Sequence, residues 1–198
     1  MRHYGDIETY LGYGPPIIQE EGATMTEQAE YRKPPAQGLI MGVDPGPTES
    51  AYAIVRPDYT LVKAAKRSNV EVYAEMEGSL LEVVQVVAIE CLACYGERMI
   101  GRETWETAYV VGDLRTMASK AGRRWKLYDR PTYANAIAGT GKVTDAMLYQ
   151  ALRLRFGAAT KDGPLYGLRG HSDLRSAYSL AVYYLDCLAR PAQAKGKR

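Results

Sequence analysis

Residues 39–55 read LIMGVDPGPTESAYAIV. Two short apolar runs, Leu39–Val43 and Ala51–Val55, flank a segment that opens on Asp44 and continues Pro45-Gly46-Pro47. Proline and glycine punctuate a turn, so the two runs are expected to pair as a hairpin. A buried strand gains nothing from an acid at its end, because a carboxylate is costly to desolvate without compensation. Asp44 is therefore either a turn initiator, a role that aspartate fills well, or a ligand placed at a strand end.

Outward from this hairpin the chain alternates. A third strand is expected in 61–65 or in 69–72, followed by a helix over 74–84. The continuous apolar run VVAIEC (86–91) suits a strand buried on both faces, and it carries an acid, Glu90, near its end. Residues 102–119 form a long helix candidate with apolar residues on more than one face. Trp105, Ala108, Val111, Leu114 and Ala118 are joined by Tyr109, Val110 and Met117. Such a helix is internal or shared with a partner chain. Residues 125–128 read as a last strand, and 131–138 and 144–156 as helices with Thr144 as an N-cap. A loop over 157–170 leads to a final helix at 172–188. Strands first, then helix and strand in alternation, predict an α/β domain with a mixed sheet.

The 198 residues suit one main domain. We divide them into an N-terminal extension (1–37), a domain (38–190) and a basic tail (191–198). The formal net charge is +2, but residues 1–37 carry six acids against three bases, so the remainder stands at +5. A basic body hints at a polyanionic partner. Three cysteines, an odd number, argue against a disulfide framework and for a reducing compartment. Cys91 and Cys94 form a single C-x-x-C, and only His3, His171 and Cys187 remain as further soft donors. Two small buried residues is the simpler reading of that pair. No apolar run approaches the ~18 residues of a membrane span, and the N-terminus has no apolar signal core. A soluble, cytoplasmic protein is expected, with no membrane partner and no nucleotide cofactor.

Three acids carry the candidate chemistry. Asp44 and Glu90 sit at strand ends, and Asp173 opens the last helix. Asp173, Ala177, Leu180, Ala181, Tyr184 and Leu188 fall on one helical stripe, so the acid points to the side on which its helix packs. A helix lying across the sheet would bring the three together. Asp173 could instead be an N-cap, but Glu90, ending an apolar strand, is costly unless paired. Converging carboxylates need cations, and hard oxygen donors suit magnesium or manganese. Two such ions together can activate water and stabilise a leaving oxygen in phosphodiester cleavage.

Asp44 in MGVDPG, Glu90 in VVAIE and the final DLRSAYSLAV helix together resemble the RuvC family of Holliday-junction resolvases. The stretches DPGPTESAYAIV, GRETWETAYVVGDLR, KVTDAMLYQALRLRFG and PLYGLRGH are closer still to the RuvC-like proteins of bacteriophages. The likeness spans residues 38–188. It implies a ribonuclease H-like fold, with a mixed five-stranded sheet flanked by helices, and a metal-dependent endonuclease for branched DNA. Asp44, Glu90 and Asp173 would be the catalytic metal ligands, holding Mg2+ or Mn2+, two ions in the usual arrangement. Acting in a bacterial host, such a protein would be cytoplasmic. Bacterial members carry an acid or histidine, two residues, then a second acid. Asp173 fills the first position and Ser176 the second, leaving three acids rather than four. His171 is an auxiliary ligand or proton shuttle, or simply a loop histidine. Asp145 is a further auxiliary acid, or merely a first-turn helix acid.

Phosphates require cations. Arg115, Lys120, Arg123, Arg124, Lys126 and Arg130 fall within sixteen positions, followed by Lys142, Arg153, Arg155, Lys161 and Arg169. Of these, Arg123, Arg124, Lys126, Arg130, Lys142 and Arg153 are our DNA-binding candidates, with Trp125, Tyr128 and Tyr133 available for stacking on unpaired bases. The 102–119 helix is the expected homodimer contact, since symmetric nicks in a four-way junction call for two sites about a twofold axis. The alternative function is a catalytically weakened RuvC-like branched-DNA-binding or scaffold protein, motivated by Ser176. An actin-like sugar kinase shares an acid and a glycine-containing hairpin after its first strand. Its two duplicated domains and second phosphate loop do not fit this chain.

Overall fold

The hairpin forms, and it is longer than its apolar runs. In the computed structural model, which describes residues 38–92, 101–161 and 163–190, β1 spans Leu39–Pro45 and β2 spans Glu49–Val55. They pair antiparallel from Ile40↔Val55 to Pro45↔Ser50. Pro45 is the last residue of β1, beyond the point where pairing with β4 stops at Val43↔Ile89, a strand-end position where proline is tolerated. The turn is tied down from outside. Asn69 Nδ2 donates to the carbonyls of Gly46 (3.1 Å) and Pro47 (3.2 Å), its backbone N–H donates to Thr48 O (3.0 Å), and Ser50 Oγ donates to Asn69 Oδ1 (2.6 Å).

β3 covers Leu61–Ser68 and pairs antiparallel with β2. Residues 69–72, the other candidate for this strand, are helical. Ser68 and Glu71 form a capping box that starts α1 (Asn69–Glu75) one residue after the strand. A π-turn (Met76–Leu80) and α2 (Leu81–Val83) continue it, and β4 (Val84–Cys91) follows at once. The helical region therefore begins five residues before the expected 74–84, and Val84 belongs to the strand. α3 (Arg102–Lys120), β5 (Arg124–Asp129), α4 (Arg130–Ala138), α5 (Asp145–Phe156), a 3-10 turn (Tyr166–Leu168) and α6 (Ser172–Ala189) complete the order. Thr144 caps α5, its Oγ1 accepting from Met147 N.

The sheet runs β3-β2-β1-β4-β5, with β4 parallel to both β1 and β5. The mixed five-stranded sheet flanked by helices matches the expectation. Alternation sorts the strand residues into two cores. Ile40, Ala51, Ala53, Val86 and Ala88 face α4, α5 and α6 together with Ala177, Leu180 and Ala181. Met41, Val43, Tyr52, Ile54, Val87 and Ile89 face the other layer with Val110 and Leu114 of α3. α6 crosses β1 at Gly42. A Cβ there would stand 1.9 Å from Ala177 O, so helix backbone rests directly on strand backbone.

Candidate active site

The parity that sorts the cores also aims the acids. Asp44 shares its face with Ile40 and Gly42, and Glu90 shares the same face with Val86 and Ala88, the face that α6 covers. One step beyond the pair Val43↔Ile89, the two acids are neighbours on parallel strands. A row across the sheet reads Tyr128, Glu90, Asp44, Ala51, Lys66. Ala51 is small, and over it opens a cleft of about 280 Å³ lined by Asp44, Pro45, Gly46, Thr48, Glu49, Lys66 and Asp173. Asp173, in the first turn of α6, closes the cleft from above. It pairs with Lys66 Nζ at 2.8 Å and accepts from Ser172 Oγ at 3.0 Å. It is not an N-cap. His171 holds that position without a side-chain bond.

Electrostatics single out Asp44. Burial, then the charges of Glu90 and Asp173, push its carboxyl from the ordinary 3.8 up to about 8, against an opposing pull from Arg130; Asp145 adds a smaller push. Burial raises Glu90 as well, opposed by the Tyr133 hydroxyl and by Arg130. Asp173 lies below its usual range because Lys66 donates to it, with a minor contribution from the exposed His171. Asp44 thus lies within electrostatic reach of both other acids and shares the cleft with Asp173, while Glu90 sits beside it on the neighbouring strand.

Sequence reasoning did not assign the residues that orient this cluster. Tyr133, fully buried, donates from its hydroxyl to Glu90 Oε2 at 2.7 Å, so it is unavailable for stacking on a base. Arg130 donates from Nη1 to Ser176 Oγ (2.9 Å) and to Tyr133 Oη (3.2 Å), and from Nη2 to Asp145. Asp129 ends β5, caps α4 by accepting from Thr132 N at 2.9 Å, and adds to the upward push on Glu90. The legible signal was D-R-P-T-Y itself: an acid N-cap, a proline at the helix start, and an arginine and tyrosine three apart on one helical face.

The other basic candidates divide by location. Lys142 precedes α5, three residues from Asp145. Arg153, eight residues into α5, lies over the Tyr149 ring at 6.0 Å, and Arg175 covers the same ring at 4.7 Å. Arg123 and Arg124 lie at the far end of the sheet, since Arg124 pairs with Val86, four residues and about 13 Å from Glu90. Arg123 is committed to the carbonyls of Leu81 (2.6 Å) and Glu82 (3.2 Å). Lys126 is exposed between these levels. Trp125 packs toward α3, with its indole N–H on Ser119 Oγ at 2.8 Å and Arg115 over its ring. Cys91 is partly buried, while His3 and Cys94 lie outside the described residues.

Compared with solved structures, the domain matches that of Thermus thermophilus RuvC with a TM-score of 0.55 at 17% identity. The match covers 76% of this chain and 96% of that one. RuvC from the same organism in complex with a Holliday junction substrate matches at 0.54 and 15% identity, with the same coverage. The fold is RuvC-like. It is ribonuclease H-like in the arrangement of its sheet and helices, as the resemblance implied. No family model and no curated protein matches the sequence, and at these identities the likeness to RuvC concerns the fold. No helix among the described residues is long and apolar enough to cross a membrane.

The donors also bear on metal binding. Among the described residues, no three His, Cys, Asp or Glu side chains are grouped closely enough to hold an ion together. Magnesium is commonly held by one or two carboxylates, with water and substrate oxygens filling its other positions. Asp44 and Glu90, oxygen donors on adjacent strands, fit that pattern. Asp173 faces them from across the cleft but is turned onto Lys66.

Proposed function

We propose that this protein is a structure-selective DNA endonuclease that resolves Holliday junctions or other branched DNA by metal-dependent phosphodiester hydrolysis. The observation that carries the reading is the placement of Asp44. On a RuvC-like fold, a largely buried carboxylate is set beside Glu90 and opposite Asp173, at the edge of an open cleft. Packing alone gives no reason to gather these charges, whereas a divalent cation does.

Asp44 and Glu90 would hold Mg2+ or Mn2+, which would supply Lewis-acid activation of water and charge stabilisation at the phosphate. Tyr133 holds the Glu90 carboxylate in one orientation by donating to it. Lys66 restrains Asp173 at the cleft and offers an ammonium to a phosphate oxygen entering there. Water attacks phosphorus, the bond to the 3′ oxygen breaks, and that oxygen leaves with a proton. The products are a 3′ hydroxyl and a 5′ phosphate, a ligatable nick. Lys142 and Arg153, on the α5 side of the site, would meet the flanking DNA backbone. A homodimer through the outer face of α3 would place two sites about a twofold axis. As the bacteriophage-type resemblance implies, we place this activity in the cytoplasm of a bacterial host.

The test is cleavage of an end-labelled four-way junction, with and without magnesium, beside the Asp44→Asn protein. Paired symmetric nicks that require both metal and Asp44 are expected. Tight junction binding without nicks in magnesium or manganese would instead support a branched-DNA-binding scaffold. Two observations favour that second reading: Asp173 is engaged with Lys66, and Ser176 supplies no charge. A scaffold should show no magnesium-linked rise in melting temperature.

A further inference from the structure

The four-acid pattern fails at Ser176, and the structure shows what stands there instead. Ser176 is buried on α6, and its hydroxyl accepts from Arg130 Nη1 at 2.9 Å. The same nitrogen reaches Tyr133 Oη at 3.2 Å, and that hydroxyl in turn holds Glu90. Nη2 pairs with Asp145. The guanidinium charge also acts on both Asp44 and Glu90, opposing the push that burial and neighbouring acids exert. One half-buried cation at the start of α4 therefore bonds to side chains of α5 and α6 and acts on the acids of β1 and β4.

A guanidinium is permanently charged and spreads that charge over a planar fork of N–H donors. Set among carboxylates, it does part of what a divalent ion does there. An acid at position 176 would fall on Nη1 and add a second ion pair to the one with Asp145, drawing the charge away from the strand acids. With a neutral serine at 176, Asp145 is the direct ion-pair partner of the guanidinium, whose charge also acts on the strand acids. The substitution at 176 and the arginine at 130 thus act as one device.

We infer that Arg130 is a resident cation that takes the place of the second divalent ion, making this a one-ion site. The inference rests on the nuclease reading above. It assigns Ser176 a role, as the neutral partner that keeps the guanidinium in place. It also explains why the chain can lack a fourth acid without losing the charge that a second ion would bring.

The experiment counts bound Mn2+ on the full chain by electron paramagnetic resonance titration, with circular dichroism to confirm folding. One ion per chain is expected for the unaltered protein, and one for Ser176→Asp, whose new carboxylate is neutralised by Arg130. Two are expected for Arg130→Gln with Ser176→Asp, and one again for Arg130→Lys with Ser176→Asp, which keeps the charge. Two ions in the unaltered protein, together with junction nicking, overturn the inference and leave the nuclease reading standing. Two ions in Ser176→Asp alone, or one in a folded Arg130→Gln, Ser176→Asp protein, overturn it as well. Should that double variant fail to fold, the counts for the unaltered protein and for Ser176→Asp decide. An unaltered protein that binds no Mn2+ and nicks no junction removes both readings.

Discussion

At the scale of the residue, Asp44 makes the site sensitive to pH in a definite direction. Its folded-state pKa of about 8 stands above the ordinary 3.8, so between those values the folded protein holds a proton that the unfolded chain releases. Stability from this group is present in full below about pH 4 and is lost as pH rises toward 8. Asp44→Asn abolishes that loss. In metal-free buffer at pH 8.5 the variant should be more stable by about 1–2 kcal/mol, with the difference vanishing near pH 4, as thermal melts at both pH values would show. Tyr133 works differently: it donates to Glu90, so in the proposed metal site it would orient a ligand without being one. Tyr133→Phe deprives Glu90 of its donor and should weaken Mg2+ binding about tenfold by isothermal titration, while the fold survives. Asp44 and Glu90 were legible because an acid at the end of an apolar run has no packing reason to be there. Arg130 and Tyr133 were not, since a basic residue and an aromatic near a suspected DNA face suggest phosphate and base contacts first. Only tertiary structure turned both inward.

At the scale of the element, the position of α6 depends on a glycine. Gly42→Ala would drive a methyl group into Ala177 O, backbone that cannot rotate away. It should cost about 3 kcal/mol, measurable by urea unfolding, and reduce nicking in the fraction that stays folded. The long elements were readable because their periodicity persists over many residues. The exception, 69–72, is instructive: NVEV alternates like a strand, yet Ser68 and Glu71 cap a helix there. Local hydrogen bonds decided the element, and the buried Asn69 that begins it is what ties the turn after Asp44. Nothing in residues 44–48 reveals that this support comes from more than twenty residues downstream.

At the scale of the whole molecule, the α/β class followed from the order of elements. The placement of β4 between β1 and β5 did not, because apolar periodicity says which residues are buried and not which strand lies beside which. The basic cluster shows the same limit. Residues 115–130 are contiguous in the chain, but the sheet carries Arg123 and Arg124 to the end opposite Glu90, while Arg130 enters the site. α3 buries Val110, Val111 and Leu114 and leaves Trp105 (54% exposed) and Tyr109 (69%) outward, with Ala108 between them on one stripe. Trp105, Ala108 and Tyr109 thus form an exposed patch, whereas Val110 and Met117, expected with Tyr109, pack into the core. If this patch joins two copies, Trp105→Glu with Tyr109→Glu should halve the mass found by light scattering and leave the melting temperature within a few degrees. A single mass for both proteins would exclude this face.

The contact between Gly42 and Ala177 has one more consequence. Because α6 meets β1 main chain to main chain, the gap between the strand acids and the helix acid is set by peptide geometry, not by the bulk of intervening side chains. The gap behaves as a fixed gauge. Substitutions throughout the two cores can raise or lower the stability of the domain while the gauge keeps its setting. Drift in the rest of the sequence is thereby separated from drift in the dimension on which chemistry would depend.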